Sequence, residues 1–156
     1  MTERDNLINN IEKIPNALQE ALIGLSDKQL DTPSGEGKWT IRQIAHHIAD
    51  ANINAYTRMK LIATEQKPIL KPYDQDRWAT LPDANSGSIE PTLTLLTGLC
   101  KRWVQFLRSL PEEAWLREGI HLENGKVTLM DVLRTYSRHG DNHLTQITSF
   151  RKKNNW

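Results

Sequence analysis

The chain has 156 residues, of which 38% are apolar and 25% are charged, so it can bury a core and is neither disordered nor membrane-embedded. Twenty basic residues balance nineteen acidic ones, and the formal charge of +1 gives no electrostatic case for binding nucleic acid or an anionic membrane. The N-terminus lacks an apolar signal segment, and the single cysteine, Cys100, cannot form an internal disulfide. We therefore expect a soluble cytoplasmic protein with one domain over residues 1–156, in which Cys100 is a small buried hydrophobe.

The first half of the chain contains two long segments with apolar stripes at helical spacing. The first is predicted over about residues 5–25, with a kink or a late start at Pro15. A capping box at Ser26–Gln29 predicts one short turn after it. The second helix opens with the capping box Thr-Ile-Arg-Gln and is predicted over about residues 40–65.

The second half predicts two further helices with a small β-ribbon between them. The third helix is predicted to start near Pro91, since proline suits a first helical turn, and to end at Pro111. The Asn124-Gly125 pair is typical of a type I′ hairpin turn. The fourth helix starts after Thr128 and reaches about residue 152. Four amphipathic helices bury their stripes best in an all-α four-helix bundle, which is the predicted fold.

Two histidines of the fourth helix, His139 and His143, fall on its core-facing stripe. At 100° per residue they lie beside Tyr136 and Ile147 and one turn apart, so two imidazoles can share one metal ion. The arrangement resembles the HExxH helix, but Gly140-Asp141 replaces its glutamate, and the zinc-protease mechanism does not follow.

The second helix offers a third ligand. His47 lies on the flank of the apolar stripe, whereas His46 is expected to point away from it. A catalytic site normally has three protein ligands and one open position, which His47 would complete. Asp50 and Asp141 are candidates to orient the imidazoles, although each is equally well explained as a solvated charge. The alternative is that His47 is an ordinary hydrogen-bonded histidine in a metal-free bundle.

Three segments carry a resemblance to a known family. Trp39–Asp50, Lys71–Trp78 and His139–His143 resemble the DinB superfamily, and more closely its YfiT-like branch. That branch is described as metal-dependent hydrolases and is now regarded as bacillithiol S-transferases. The likeness covers about residues 11–150, and the family's histidines fall on His47 and on the helix-four pair. It implies a four-helix bundle, often dimeric, that holds one zinc or nickel ion through the three histidines.

The function implied is a metal-dependent transferase that moves a low-molecular-weight, bacillithiol-like thiol onto an electrophilic substrate. Its partners would be these two small molecules and a second copy of the chain. Tyr73, Arg77 and Trp78 lie in a long segment between helices and are candidates to bind substrate. Arg77 or Lys71 would pair with a substrate carboxylate and Trp78 would form an apolar wall, although Tyr73 and Trp78 would equally serve to anchor the loop.

Three alternatives remain open on sequence grounds. A hydrolase would use the same metal to activate water, with Asp50 or Asp141 as a base. A non-catalytic metal-binding stress protein would bind the ion without turnover. A metal-free bundle would tolerate loss of His143. Trp39 is expected to plug one end of the bundle. His121 is expected to be a ribbon residue, with an approach to the site as an acid or base as the alternative.

Overall fold

Four long helices make up most of the structure, a computed structural model that describes residues 1–156. They are α1, Glu3–Leu22; α3, Ile41–Thr64; α6, Ile89–Arg108; and α7, Leu129–Lys153. The shorter elements are α2, Asp27–Leu30; β1, Ile69–Leu70; α4, Gln75–Ala79; α5, Pro82–Asn85; a 3-10 turn, Glu112–Leu116; β2, Glu118–His121; and β3, Gly125–Thr128. None of the helices combines the length and the apolar character that a bilayer-crossing segment needs.

Capping boxes set where these helices begin. The Thr40 hydroxyl accepts the Gln43 N–H at 3.1 Å, and the Gln43 side chain accepts the Thr40 N–H at 3.0 Å. Thr128 and Asp131 make the same reciprocal pair at the start of α7. Ser26–Gln29 does so at α2, as predicted. Each such cap contributes about 1 kcal/mol to helix stability, which explains why the sequence located these starts.

Two boundaries differ from the prediction, and both involve proline. α1 begins at Glu3 and continues through Pro15, so the late start predicted there was wrong. α6 begins at Ile89, two residues before the predicted start, and Pro91 occupies its first turn. Pro91 is tolerated because the first four N–H groups of a helix have no intrahelical acceptor.

The bundle has a specific neighbour order. α1 and α3 each pack against both α6 and α7, so α1 and α3 lie on one diagonal of the bundle. The core between them includes Ile11, Ile48 and Trp103, all fully buried. α7 comes close to α1 at Gly140, where an added Cβ would lie 2.7 Å from Ile14 Cδ1. The predicted four-helix bundle is confirmed, with α7 held tightly against α1 beside its histidines.

The β-ribbon is a three-stranded sheet. β2 and β3 pair antiparallel, and β1 adds parallel to β2 with Ile69 opposite Ile120. The hairpin prediction was correct, but its type I′ turn was wrong, since Gly125 has a φ of 73° while Asn124 has no positive φ. His121 Nδ1 accepts the backbone N–H groups of residues 123 and 124 within the wider loop that forms instead.

A second layer covers the outer face of α3. α4 and α5 pack on that helix, and the Gln43 side chain donates to the Ala79 carbonyl at 2.8 Å. The buried Arg42 side chain donates to Asp27, to Asp31 and to the Gly87 carbonyl. These contacts fix the long segment between α3 and α6 against the bundle, which determines what borders the histidines.

Candidate metal centre

Three histidines meet between α3 and α7. His47 Nε2 lies 3.1 Å from His139 Nε2, and His143 Nε2 lies 3.2 Å from the same atom. One ring nitrogen from each of the three residues falls within 4.8 Å of the other two. His47 is 3% exposed, so the three nitrogens converge at the inner side of the helices.

This donor set fits a divalent ion. Zinc–nitrogen bonds of about 2.0–2.1 Å in a tetrahedral arrangement place ligand nitrogens about 3.3–3.4 Å apart. The two short separations, 3.1 and 3.2 Å, are already close to that value. Three neutral imidazoles with an open fourth side are the donor set of a catalytic rather than a structural site.

The outer ring nitrogens have unequal partners. His143 Nδ1 lies 3.1 Å from Gln146 Oε1, which fixes Nδ1 as the protonated nitrogen and leaves the Nε2 lone pair free. His47 Nδ1 lies 3.4 Å from the Tyr73 hydroxyl. His139 Nδ1 is buried with no hydrogen-bond partner in the protein. The rings of His143 and His47 are therefore oriented by contacts with neighbouring side chains, and the ring of His139 is held by packing.

Burial keeps the histidines neutral. Removal from water, reinforced by the charges that His139 and His143 would carry, lowers the pKa of His47 to about 3. Burial, together with His143, lowers the pKa of His139 to about 4. Burial also lowers the pKa of His143. All three imidazoles therefore present unprotonated nitrogens at neutral pH, as metal ligands must.

Aromatic rings enclose the centre. The Trp39 ring packs edge-on against His47 with centroids 4.7 Å apart, and the Tyr136 ring lies 5.8 Å from that of His139. Trp39 was expected to plug an end of the bundle; it lies at the N-terminal end of α3 and also forms a wall of the site.

The remaining candidates from the second and fourth helices lie elsewhere. His46 does point away from the other histidines, but it is 6% exposed because the α5–α6 segment covers it. Its Nδ1 lies 2.6 Å from the Thr92 hydroxyl. Asp50 and Asp141 do not hydrogen-bond to any of the three imidazoles, and Asp141 instead accepts from Asn10. The orienting role proposed for these carboxylates was wrong.

A polar cleft of about 660 Å³ adjoins the histidines. Tyr73 and Tyr136 belong to both the cleft and the metal centre, since each contacts a histidine and each lines the cleft. Arg58 and His121 line its inner part. A small molecule in this cleft would reach the metal centre past the two tyrosines.

The predicted substrate residues divide into three outcomes. Tyr73 lies at the site, as just described. Trp78 packs on the Tyr73 ring with centroids 4.6 Å apart and is 38% exposed, so it supports Tyr73 from outside. The Arg77 side chain is 88% exposed and lies 3.6 Å from Asp74, which lines the cleft, but Arg77 itself does not line it.

Sequence reasoning missed Arg58 and Gln146, and did not use Tyr136. Arg58 follows His47 by eleven residues, which at 100° per residue is about 20° past three full turns, so both lie on one face of α3. Tyr136 and Gln146 each lie three residues from one of the α7 histidines. Helical spacing could have located all three, but an arginine on a helix flank is normally solvated.

Comparison with known proteins agrees with this geometry. The sequence model of the DinB superfamily matches residues 10–147. A Bacillus cereus protein named "Putative metal-dependent hydrolase" is 43% identical over 152 residues, which cover 97% of this chain and 87% of the relative. A Bacillus anthracis protein of the same name is 42% identical with the same coverage.

Two solved structures share the architecture. YfiT from Bacillus subtilis, described as "a probable metal-dependent hydrolase with an unusual four-helix bundle topology", superposes with a TM-score of 0.95 at 34% identity. The match covers 100% of this chain and 91% of YfiT. TT2238, described as a four-helix bundle protein, superposes with a TM-score of 0.64 at 19% identity, covering 94% of this chain and 98% of its own, and shares the fold alone.

Proposed function

Because this chain belongs to the DinB superfamily, we propose that it is a metal-dependent enzyme holding one divalent ion, zinc or nickel, through His47, His139 and His143. We infer further that it transfers a low-molecular-weight thiol of the bacillithiol type to an electrophilic substrate. The observation that carries this proposal is the convergence of three neutral Nε2 atoms in a site without a side-chain nucleophile.

The donor set supports the choice of metal. Imidazole nitrogens suit zinc, nickel and other borderline divalent ions, and three neutral ligands leave the full double charge of the ion uncompensated. A divalent ion bound there would supply Lewis acidity that lowers the pKa of a thiol reaching its open side.

The residues of this chain prepare the site. Burial holds His47 and His139 in the neutral form, and Gln146 fixes the tautomer of His143. Burial raises the pKa of the Tyr73 phenol well above its usual value, so its hydroxyl stays protonated beside His47. The ring of Trp39 limits the access of water to the imidazoles.

The transfer needs no covalent enzyme intermediate. The thiol loses its proton to solvent, its sulfur forms a bond to the electrophilic carbon, and the leaving group departs with the electron pair of the broken bond. The thiol brings its own nucleophile, which suits a site that lacks one. Cys100 does not serve, because it lies in the core and burial raises the pKa of its thiol to about 12.

A hydrolase is the second candidate, and the names of the Bacillus relatives favour it. Activated water would normally give its proton to a positioned base. Asp50 and Asp141 do not hydrogen-bond to the imidazoles, and thiol transfer needs no such base, which is why we propose transfer first.

The first test is elemental analysis of tag-free protein and its His47→Ala, His139→Ala and His143→Ala variants. We expect about one divalent ion per chain in the wild type and none in the three variants. His46→Gln is the matched control, since His46 is also a buried histidine of α3, and should keep the ion. Metal retained in the three variants, or never taken up from zinc or nickel, would refute the assignment.

The second test separates the chemistries. Metal-loaded protein is incubated with 1-chloro-2,4-dinitrobenzene, with and without bacillithiol or another thiol. Chloride release and adduct formation that require the thiol and vanish in His143→Ala support transfer. Turnover of ester or amide substrates without thiol supports the hydrolase, and metal binding without either rate leaves a binding protein.

A further inference from the structure

Arg58 is a buried cation without an anionic partner. It is 8% exposed, and its guanidinium donates to the Tyr136 hydroxyl and to the Lys71 carbonyl. These contacts use two of its five N–H donors, and no carboxylate lies within ion-pair distance. The other buried arginine of α3, Arg42, is paired with two aspartates.

Arg42 and Arg58 differ in how the protein compensates their buried charge. Burying a charge costs several kcal/mol unless a counter-charge and hydrogen bonds compensate it. Arg42 is compensated within the protein, whereas Arg58 has only neutral acceptors and faces a cleft. A buried guanidinium with free donors at the wall of a cleft is the arrangement that binds an anion from solution.

The position of Arg58 relates this cleft to the metal centre. Tyr136 accepts a hydrogen bond from Arg58 at its hydroxyl, and its ring lies 5.8 Å from the ring of His139. One tyrosine side chain therefore spans the gap between the guanidinium and the histidines. A short molecule with a reactive group at one end and an anionic group at the other would reach both.

His121 supplies a second donor in the same cleft. Its Nδ1 accepts the backbone N–H groups of Glu123 and Asn124, so in the neutral ring Nε2 carries the proton. No protein group accepts from Nε2. Burial, and then the charge of Arg58, lower the pKa of His121, which keeps the ring neutral at pH 7.

We propose that this cleft binds a carboxylate of the substrate through Arg58 and His121, beside the three histidines. The inference rests on the proposed transfer and names the chemistry of its substrate: the thiol or the electrophile carries a carboxylate. A monoanion matches the single charge of Arg58. A phosphate dianion would leave excess negative charge next to Glu123, which lines the cleft with an exposed side chain and has no ion-pair partner, whereas Asp74 in the same lining is paired with Arg77.

Direct binding tests the site without turnover. Propionate, a monocarboxylate, is titrated calorimetrically into the full-length protein as purified, with propionamide and inorganic phosphate as comparison ligands. We expect propionate to bind at least about tenfold more tightly than propionamide or phosphate. That affinity should fall at least about tenfold in Arg58→Gln and less in Arg58→Lys, which keeps the charge but loses the planar fork.

Two further variants locate the binding. Arg102→Gln removes an exposed arginine of α6 and should leave propionate affinity unchanged. His143→Ala removes a histidine of the centre but not the cleft, and should also retain it. Equal affinity in Arg58→Gln and wild type, or loss of binding in His143→Ala, would overturn the proposal. If circular dichroism shows that Arg58→Gln does not fold, Arg58→Lys and His121→Phe are measured instead. Unchanged affinity for the carboxylate in both variants would overturn the proposal.

Kinetics identify which substrate carries the carboxylate. The pair 3-mercaptopropionate and 3-mercaptopropionamide varies the thiol, and the pair iodoacetate and iodoacetamide varies the electrophile. A KM at least about tenfold lower for the acid of one pair, lost in Arg58→Gln, assigns the carboxylate to that substrate. Turnover without such a preference overturns the proposal alone. Absence of any turnover removes the proposed transfer, and propionate binding still tests the cleft.

Discussion

The buried histidines couple the stability of the metal-free protein to pH. The pKa of His47 is 6.5 in the unfolded reference and about 3 in the fold. Between these values the unfolded chain binds more protons than the native state, so stability falls as pH falls through this window. For His47 alone the loss between pH 7.5 and pH 5 is about 2 kcal/mol, at 1.36 kcal/mol per pKa unit.

Urea unfolding of EDTA-treated protein at the two pH values measures this effect. The wild type should lose about 2 kcal/mol more than His47→Gln, which has no ring to protonate. Equal losses in the two proteins would mean that His47 titrates normally in the fold.

Single-residue reasoning from the sequence reached the three histidines and named Tyr73, but it did not reveal the contacts around them. His47, His139 and His143 were found because helical phase is local information, fixed by spacing within each helix. The roles of Arg58 and Tyr73 depend on contacts between α3 and the segment after it. Spacing within one helix does not contain such contacts.

Among the helices, the α1–α7 contact lies beside the metal centre, because Gly140 follows His139 directly in α7. A methyl group at Gly140 would lie 2.7 Å from Cδ1 and 3.1 Å from Cγ1 of Ile14, which is 1% exposed. We expect Gly140→Ala to destabilise the protein by about 1–2 kcal/mol, because overpacking outweighs the better helix propensity of alanine.

A double-mutant cycle separates this clash from other effects. Ile14→Val removes the Cδ1 atom and should lower the free energy of unfolding of the wild type. In the Gly140→Ala background the same change should lower it less, or even raise it. Additive changes in the free energy of unfolding would show that α7 moves away from α1 instead of clashing.

A second prediction concerns how the outer layer is held on α3. The Arg42 side chain is 6% exposed and joins α2 to the α5–α6 segment. Arg42→Met should cost about 1–3 kcal/mol, since it leaves the Gly87 carbonyl without this donor while the two aspartates remain accessible to water. Arg42→Lys should recover only part of the loss, because one ammonium cannot replace the forked contacts. Chemical denaturation measures both.

Long and short elements differed in how well the sequence predicted them. The four long helices carry periodic stripes, and α1, α3 and α7 also begin with capping boxes, so the existence of these helices was predictable. β1 has two residues and forms only by pairing with β2, about fifty residues later in the chain. α4 and α5 are four or five residues long and carry no detectable period. His46 was expected to face outward because its cover, Gly87 and Thr92, comes from a contact between α3 and the start of α6 that spacing within one helix does not reveal.

At the scale of the whole molecule, all three proposed ligands belong to one chain. Metal binding therefore does not require a partner subunit, and about one ion per chain should be found at every protein concentration. Sedimentation combined with metal analysis, from about 1 to 100 µM protein, tests this. The homodimer stays a prediction that the same experiment addresses, and metal content that rises with dimer fraction would contradict ligation within one chain.

Metal removal should also lower global stability. An ion that binds only the native state adds about 2.7 kcal/mol at a free concentration one hundred times its dissociation constant. Thermal unfolding with zinc and with EDTA should therefore differ clearly in wild type and in His46→Gln. The difference should disappear in His139→Ala.

The sequence distance between the ligands has a consequence for chain entropy. His139 and His143 are four residues apart, whereas His47 and His139 are separated by 92 residues. A cross-link that closes a loop of this length removes roughly 4–5 kcal/mol of conformational entropy from the unfolded chain if it persists there. The neighbouring pair closes almost no loop and can capture an ion as soon as α7 forms. Binding of His47 then brings the two halves of the chain together. The ion would therefore act as a reversible cross-link that binds the two α7 histidines first and His47 second.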